Sequence, residues 1–184
     1  MLERIGKKKI FIIATVAVVL MFAIMLFVNP LIDGQDGSSV LELQLSFEKE
    51  RGVEIINSWG PFGHSRFNKF IVFDYLYAAA YAFFFAVTLS LLILKHDLGG
   101  KAFYRGLVYL SLMGGGLDWI ENTMEIPFVN NPPGYPGILF FLHSIVAAVK
   151  WAIVGFAALA IFLLMIKTIK VRKFRAARTS HKGS

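Results

Sequence analysis

Ionisable and hydrogen-bonding side chains recur at helical spacing inside three apolar stretches of this chain: Asp74, Tyr77 and Tyr81; Asp118, Glu121, Asn122 and Glu125; His143 and Lys150. Residues three, four or seven apart share one face of a helix, so each stretch carries a single polar stripe. Carboxylates near an imidazole can move protons on and off a substrate, which makes Asp118, Glu121 and His143 the candidate acid–base residues. The same groups, with Asp74, Tyr77, Tyr81, Asn122 and Lys150, could hold a polar ligand through their donors and acceptors. Asp74, Glu121 and His143 also carry ligand atoms suited to a divalent Zn, Mn or Fe ion. No histidine pair at i, i+4 accompanies them, so a hydrogen-bonded histidine is the simpler expectation and no metal is assigned. The chain has no cysteine, which excludes disulfides, thiolate nucleophiles and cysteine metal sites. It also lacks a phosphate loop, a nucleophile elbow and an HExxH run.

The surroundings of those stripes are set by composition. Of 184 residues, 57% are hydrophobic and 17% charged, and the mean hydropathy is +0.63, too apolar for a soluble domain that covers itself with charge. A crossing of the hydrocarbon needs roughly 20 apolar residues. Four stretches qualify, at about residues 10–32, 70–94, 103–126 and 138–166. The expected fold is an all-α integral membrane protein, one domain of four transmembrane helices. The last stretch exceeds a bilayer's thickness and should project beyond it as a helical stub. An ionisable group at the bilayer centre costs about 2.5–3.5 kcal/mol or more, so polar stripes turn inward and mark sites.

Charge is distributed by topology. The net charge is +7, and the bases cluster at Arg4 and Lys7 to Lys9, at Lys95, Lys101 and Arg105, and from Lys167 to Arg178. All three clusters fall on one side of a four-crossing chain, which places both ends in the cytoplasm by the positive-inside rule and leaves no support for nucleic-acid binding. The partner this implies is the bilayer, with anionic lipid at the basic tail as an additional partner. Lys7 to Lys9 precede an apolar run that is too long for a signal peptide and lacks a small-x-small cleavage pattern, so an uncleaved anchor is expected.

Depth decides which stripes can meet. At a rise of about 1.5 Å per residue from the external end of each stretch, Asp74 lies roughly 6 Å deep, Tyr77 about 10 Å and Tyr81 about 16 Å. Glu125 falls near the surface, Glu121 and Asn122 roughly 8–9 Å down and Asp118 about 13 Å, while His143 lies roughly 8 Å and Lys150 about 18 Å deep. The three ladders overlap, and Asp118 is the best partner for Lys150. Gly114, Gly115 and Gly116, just before Asp118, should let helices approach closely.

The first external segment, residues 33–69, is long enough to fold. Leu41, Leu43, Leu45 and Phe47 alternate with Glu42, Gln44, Ser46 and Glu48, which reads as a short half-buried strand. Ser46 could cap an amphipathic helix over 47–59 with Phe47, Ile55, Ile56 and Trp59 on its apolar side, lying in the interface or covering the helices from outside. Residues 33–39 and 179–184, rich in Gly, Asp and Ser or in polar residues, are expected to be irregular.

The stretch Leu117-Asp118-Trp119-Ile120-Glu121-Asn122, with Phe73-Asp74-Tyr75-Leu76-Tyr77 and Tyr81 before it, resembles a group of small four-span bacterial membrane proteins of unknown function that carry D-x-x-E-N on the third span. The resemblance implies a bacterial inner-membrane location and weight on Asp74, Asp118, Glu121 and Asn122. It implies no activity. Three functions fit the residues: an externally open polar cleft that binds a polar or lipid-headgroup ligand, a membrane-embedded lipid-modifying enzyme, or a non-catalytic subunit whose stripes bind a partner helix or a second copy.

The charge distribution makes a direct prediction. Alkaline phosphatase fused after residue 40 or residue 133 should be active in a bacterial host, and fused after residue 98 or residue 178 inactive; the reverse pattern would invert the topology.

Overall fold

A computed structural model of the chain describes residues 8–34 and 37–180. It is helical, with no strand among the described residues. Helix α1 runs Lys8–Val28 and passes into a 3-10 turn, Asn29–Leu31. A five-residue helix α2, Val40–Gln44, is followed by three long helices: α3 Lys49–Lys95, α4 Ala102–Asn130 and α5 Gly137–Ser180. Helices α3, α4 and α5 all pack on one another, while α1 lies mainly along α3.

Three helical stretches are long and apolar enough to cross a membrane, Lys8–Leu31, Lys49–Lys95 and Gly137–Lys170. Large apolar side chains stand exposed along them, among them Val16 and Leu20 on α1 and Phe162 and Leu163 on α5, as a lipid-facing surface requires and a soluble monomer avoids. The fourth expected span, within α4, is not among these three. Asp118, Glu121, Glu125 and Arg105 dilute its apolar character, and the three acids are turned fully inward.

The segment between the first two apolar stretches folds differently from its alternating pattern. Residues 40–44 are helical, not extended, because Ser39 sits in an extended conformation at the N-cap and its hydroxyl accepts the Glu42 N–H at 3.3 Å. Only Leu43 of the alternating set is buried; Leu41, Leu45 and Phe47 are exposed. Phe47 takes a left-handed conformation with φ 58°, which separates α2 from α3, and its N–H donates to Ser144 Oγ on α5. Helix α3 therefore starts at Lys49, past the Ser46 cap expected from sequence, and Phe47 is not on its apolar side. Of residues 33–39, the backbone closes a turn from Gly34 to Ser38 with Gly37 at φ 83°; residues 179–180, expected to be irregular, are the last of α5, and residues 35–36 and 181–184 lie outside the described ones.

The amphipathic helix in residues 49–59 covers the other helices. Ile55, Ile56 and Trp59 are buried with Phe128, Val129, Tyr135 and Phe140 in one apolar cluster, and the Trp59 indole donates to the Ser38 carbonyl instead of facing the bilayer interface. Gly52 packs so tightly under α5 that a Cβ would lie 2.5 Å from Phe140 Cζ, so the residue that weakens this helix intrinsically is what lets it dock. The bend into the apolar part of α3 is at Gly60, φ 62°, a conformation that strains any residue with a Cβ. Pro61 then opens the next helical stretch, where its missing N–H is harmless.

A second apolar cluster, including Ala86, Leu89, Ile93, Val108, Ala157 and Leu164, fills the opposite end. Between the two clusters the helices meet through small residues. A Cβ on Gly115 would lie 2.6 Å from Ala82 Cβ, and one on Gly114 3.1 Å from Ile153 Cγ2, whereas Gly116 faces open space. Close packing is thus required on both sides of α4 at residues 114 and 115. Gly115→Leu should lower the melting temperature in detergent sharply, overpacking of this kind costing about 1–3 kcal/mol or more. Gly116→Ala should leave melting unchanged or raise it slightly.

Candidate functional site

The polar stripes converge between the two apolar clusters. Lys150 of α5, 3% exposed, points its ammonium at α4, where Nζ donates to Asp118 Oδ1 at 3.2 Å and lies 2.6 Å from Glu121 Oε2. The other Asp118 oxygen, Oδ2, accepts the Tyr81 hydroxyl of α3 at 2.9 Å, and the same hydroxyl lies 3.2 Å from the Gly114 carbonyl oxygen. One carboxylate therefore joins three helices. Asp118 and Glu121 are both reached because three residues along α4 leave them on adjacent turns of one face. Lys150 meets the Asp118 expected from depth and a second acid that depth did not single out.

On one side of this ion cluster is a cavity of about 270 Å³. Asp74, Tyr77, Tyr81, Asp118 and Lys150 supply its polar wall, and Phe22 and Leu26 of α1 with Phe85, Trp151 and Val154 supply much of its apolar wall. Leu41 and Gln44 of α2 also line it, and Gln44 Oε1 accepts the Trp151 indole N–H at 3.3 Å, which fastens α2 to α5. Asp74 forms no salt bridge among the described residues. Its carboxyl comes near the Asn122 amide without hydrogen-bond geometry.

On the far side of Lys150 a second group is sealed away. Glu121, Glu125 and His143 offer one ligand atom each, all within 4.8 Å of one another. Glu121 and Glu125 are 0% exposed and His143 2%, and none of the three lines the cavity. Glu125 Oε1 and His143 Nε2 stand 3.9 Å apart, too far for a hydrogen bond. Asn122 is also fully buried, and neither of its amide atoms has a hydrogen-bond partner.

The candidate residues thus separate into two groups. Asp74, Tyr77, Tyr81, Asp118 and Lys150 share the cavity, whereas Glu121, Asn122 and His143 do not line it. The set Asp74, Glu121 and His143 does not assemble as a metal-ligand trio; Glu125 takes the place of Asp74. Depth along the sequence places Glu125 near the end of the third apolar stretch, at about residue 126. Helix α4 instead continues through Pro127 to Asn130, and the covering helix of residues 49–59 buries that end. The spacing of Glu121 and Glu125, four residues on one face, was the available signal. Gln44 and Trp151 had none, since their meeting depends on how the external segment folds back.

Comparison with known protein families, curated proteins and solved structures gives no match. Function has to be argued from this geometry.

A buried ammonium held by two acids should be intolerant of losing its charge alone. Lys150→Met should destabilise the chain by about 3–5 kcal/mol, because it leaves acids uncompensated. Combining it with Asp118→Asn and Glu121→Gln should recover much of that loss. Chemical denaturation in detergent measures both, and equal stability of the single and triple variants would show that the pair carries no coupling.

Proposed function

We propose that the chain is a four-crossing protein of the plasma membrane, its basic clusters cytoplasmic, that binds the polar end of an amphipathic ligand in the cavity beside Lys150. A bacterial inner membrane is the setting that the D-x-x-E-N resemblance favours. The fourth crossing is supported by α4 itself. Its 29 residues span about 43 Å, its acids face inward, and Tyr109, Met113, Trp119 and Ile120 present an apolar outer side.

The observation that carries the ligand is the composition of the cavity wall: an acid, phenols and a neutralised ion pair at one end, and α1, α2 and α5 side chains forming an apolar remainder. At about 270 Å³, the space is near the lower limit for small-molecule pockets, enough for a headgroup and its first methylenes. The charge balance selects the kind of headgroup. Lys150 is already engaged by Asp118 and Glu121, so it is not the free cation that an anionic group would seek. Asp74 is the acid of the cavity wall that forms no salt bridge among the described residues, and it favours a headgroup bearing an amine or hydroxyls that donate to it. Acid–base chemistry shared between Glu121 or His143 and a cavity substrate has no comparable support, since neither residue lines the cavity.

Native mass spectrometry of the chain extracted in mild detergent should show one lipid adduct per chain with an amine- or polyol-bearing headgroup. Asp74→Asn should weaken its retention roughly 10- to 100-fold, the worth of one charge-assisted hydrogen bond. A chain that carries no lipid, or an Asp74→Asn variant that retains it as well as the wild type, would count against this function.

A further inference from the structure

We infer that Glu121, Glu125 and His143 form a binding site for one divalent transition-metal ion, Zn²⁺ being the best fit. The site is independent of the cavity ligand. Two carboxylates of α4 and one imidazole of α5 converge with a ligand atom from each within 4.8 Å of the others. Tetrahedral donors at about 2.1 Å from a common ion sit roughly 3.4 Å apart, so side-chain adjustments that close the trio by about 1 Å bring all three into coordination.

The second observation is what these groups lack. Both Glu125 oxygens, Glu121 Oε1 and both His143 nitrogens have no hydrogen-bond partner, although the three residues are at most 2% exposed. Fully buried polar atoms normally have partners, and orphans concentrated at one point call for an ion or another group that satisfies them together. Charge points the same way. Lys150 is shared by Asp118 and Glu121, and the fully buried Glu125 has no Lys or Arg partner among the described residues; a dication held by the trio would lower the cost of burying these carboxylates.

The donor set chooses the ion. One nitrogen and two carboxylates suit Zn²⁺, or Mn²⁺ and Fe²⁺ less closely, better than Ca²⁺ or Mg²⁺, which prefer all-oxygen shells. Three protein ligands leave a fourth position for water or for a neighbouring side chain. Glu121 has a place in both groups: Oε2 faces Lys150 while Oε1 is free for the ion. The ion would therefore clasp α4 to α5 and orient the carboxylate that holds Lys150 at the cavity wall. Because the three side chains are sealed from solvent, it should exchange slowly and be loaded during synthesis.

The test uses the 184-residue chain expressed with added Zn²⁺, purified in detergent free of chelator, and assayed by inductively coupled plasma mass spectrometry and X-ray absorption at the zinc edge. Wild type should carry about one Zn²⁺, coordinated by one imidazole and oxygen atoms. Glu125→Gln and His143→Gln, checked for helicity and monodispersity, should retain roughly tenfold less or lower. Asp74→Asn, which alters the cavity, should keep its zinc while losing lipid. A wild-type chain without bound zinc would show that protons satisfy the cluster instead and would overturn the site. So would a spectrum with several imidazoles, equal zinc in folded Glu125→Gln and wild type, or loss of zinc from Asp74→Asn. The wild-type measurements decide the matter even where a variant fails to fold.

Discussion

An ammonium group deep among apolar helices has to be answered by charge, and the arrangement around Lys150 is that answer. Its Nζ contacts Asp118 and Glu121 on the facing helix, and Asp118 in turn holds Tyr81 on a third helix. A buried ion pair is a weak source of net stability, because desolvation offsets much of the attraction. It is a strong source of register. With Lys150 committed to two acids one turn apart, α4 and α5 have one relative depth at which neither charge is stranded, and α3 is aligned to them through the phenol of Tyr81.

That requirement explains the packing on either side. Salt-bridge distances need close backbones, and Gly114 and Gly115 supply them by removing the side chains that Ile153 and Ala82 would otherwise meet. Apolar clusters flank the polar layer at both ends, and the low dielectric they provide makes each contact beside them stronger and each missing contact more costly. The first cluster depends on the segment that joins α1 to the long α3. Residues 49–59 dock through Gly52 beneath Phe140, and Gln44 reaches Trp151 beside Lys150. A loop distant in sequence from the charges thus forms part of the wall that encloses them.

The polar layer is divided by the ion pair into two environments of different chemistry. Toward α1 the cavity offers an acid without a salt-bridge partner, phenols and apolar walls, the features on which the proposed headgroup site rests. Away from α1, two carboxylates and an imidazole face one another with no hydrogen-bond partner, features of a site for a small cation. Glu121 belongs to both, since one of its oxygens is against Lys150 and the other is not.

Local pattern in the sequence determined the helical class, the apolar stretches and the face on which each polar residue lies, because hydropathy and the 3.6-residue period are properties of neighbours along the chain. Asp118 opposite Lys150 followed from rise per residue alone. The alternation of residues 41–47 misled because so short a pattern is outweighed by a single Ser39 cap. Tertiary structure alone decided that Glu121 shares Lys150, that Glu125 is buried with His143, and that Asp74 faces a cavity instead of a metal-ligand trio. Those outcomes depend on how far α4 continues past Pro127, on the rotation of each helix about its axis, and on where residues 37–59 fold back. Such quantities are set by packing between distant segments, and spacing along one segment does not encode them.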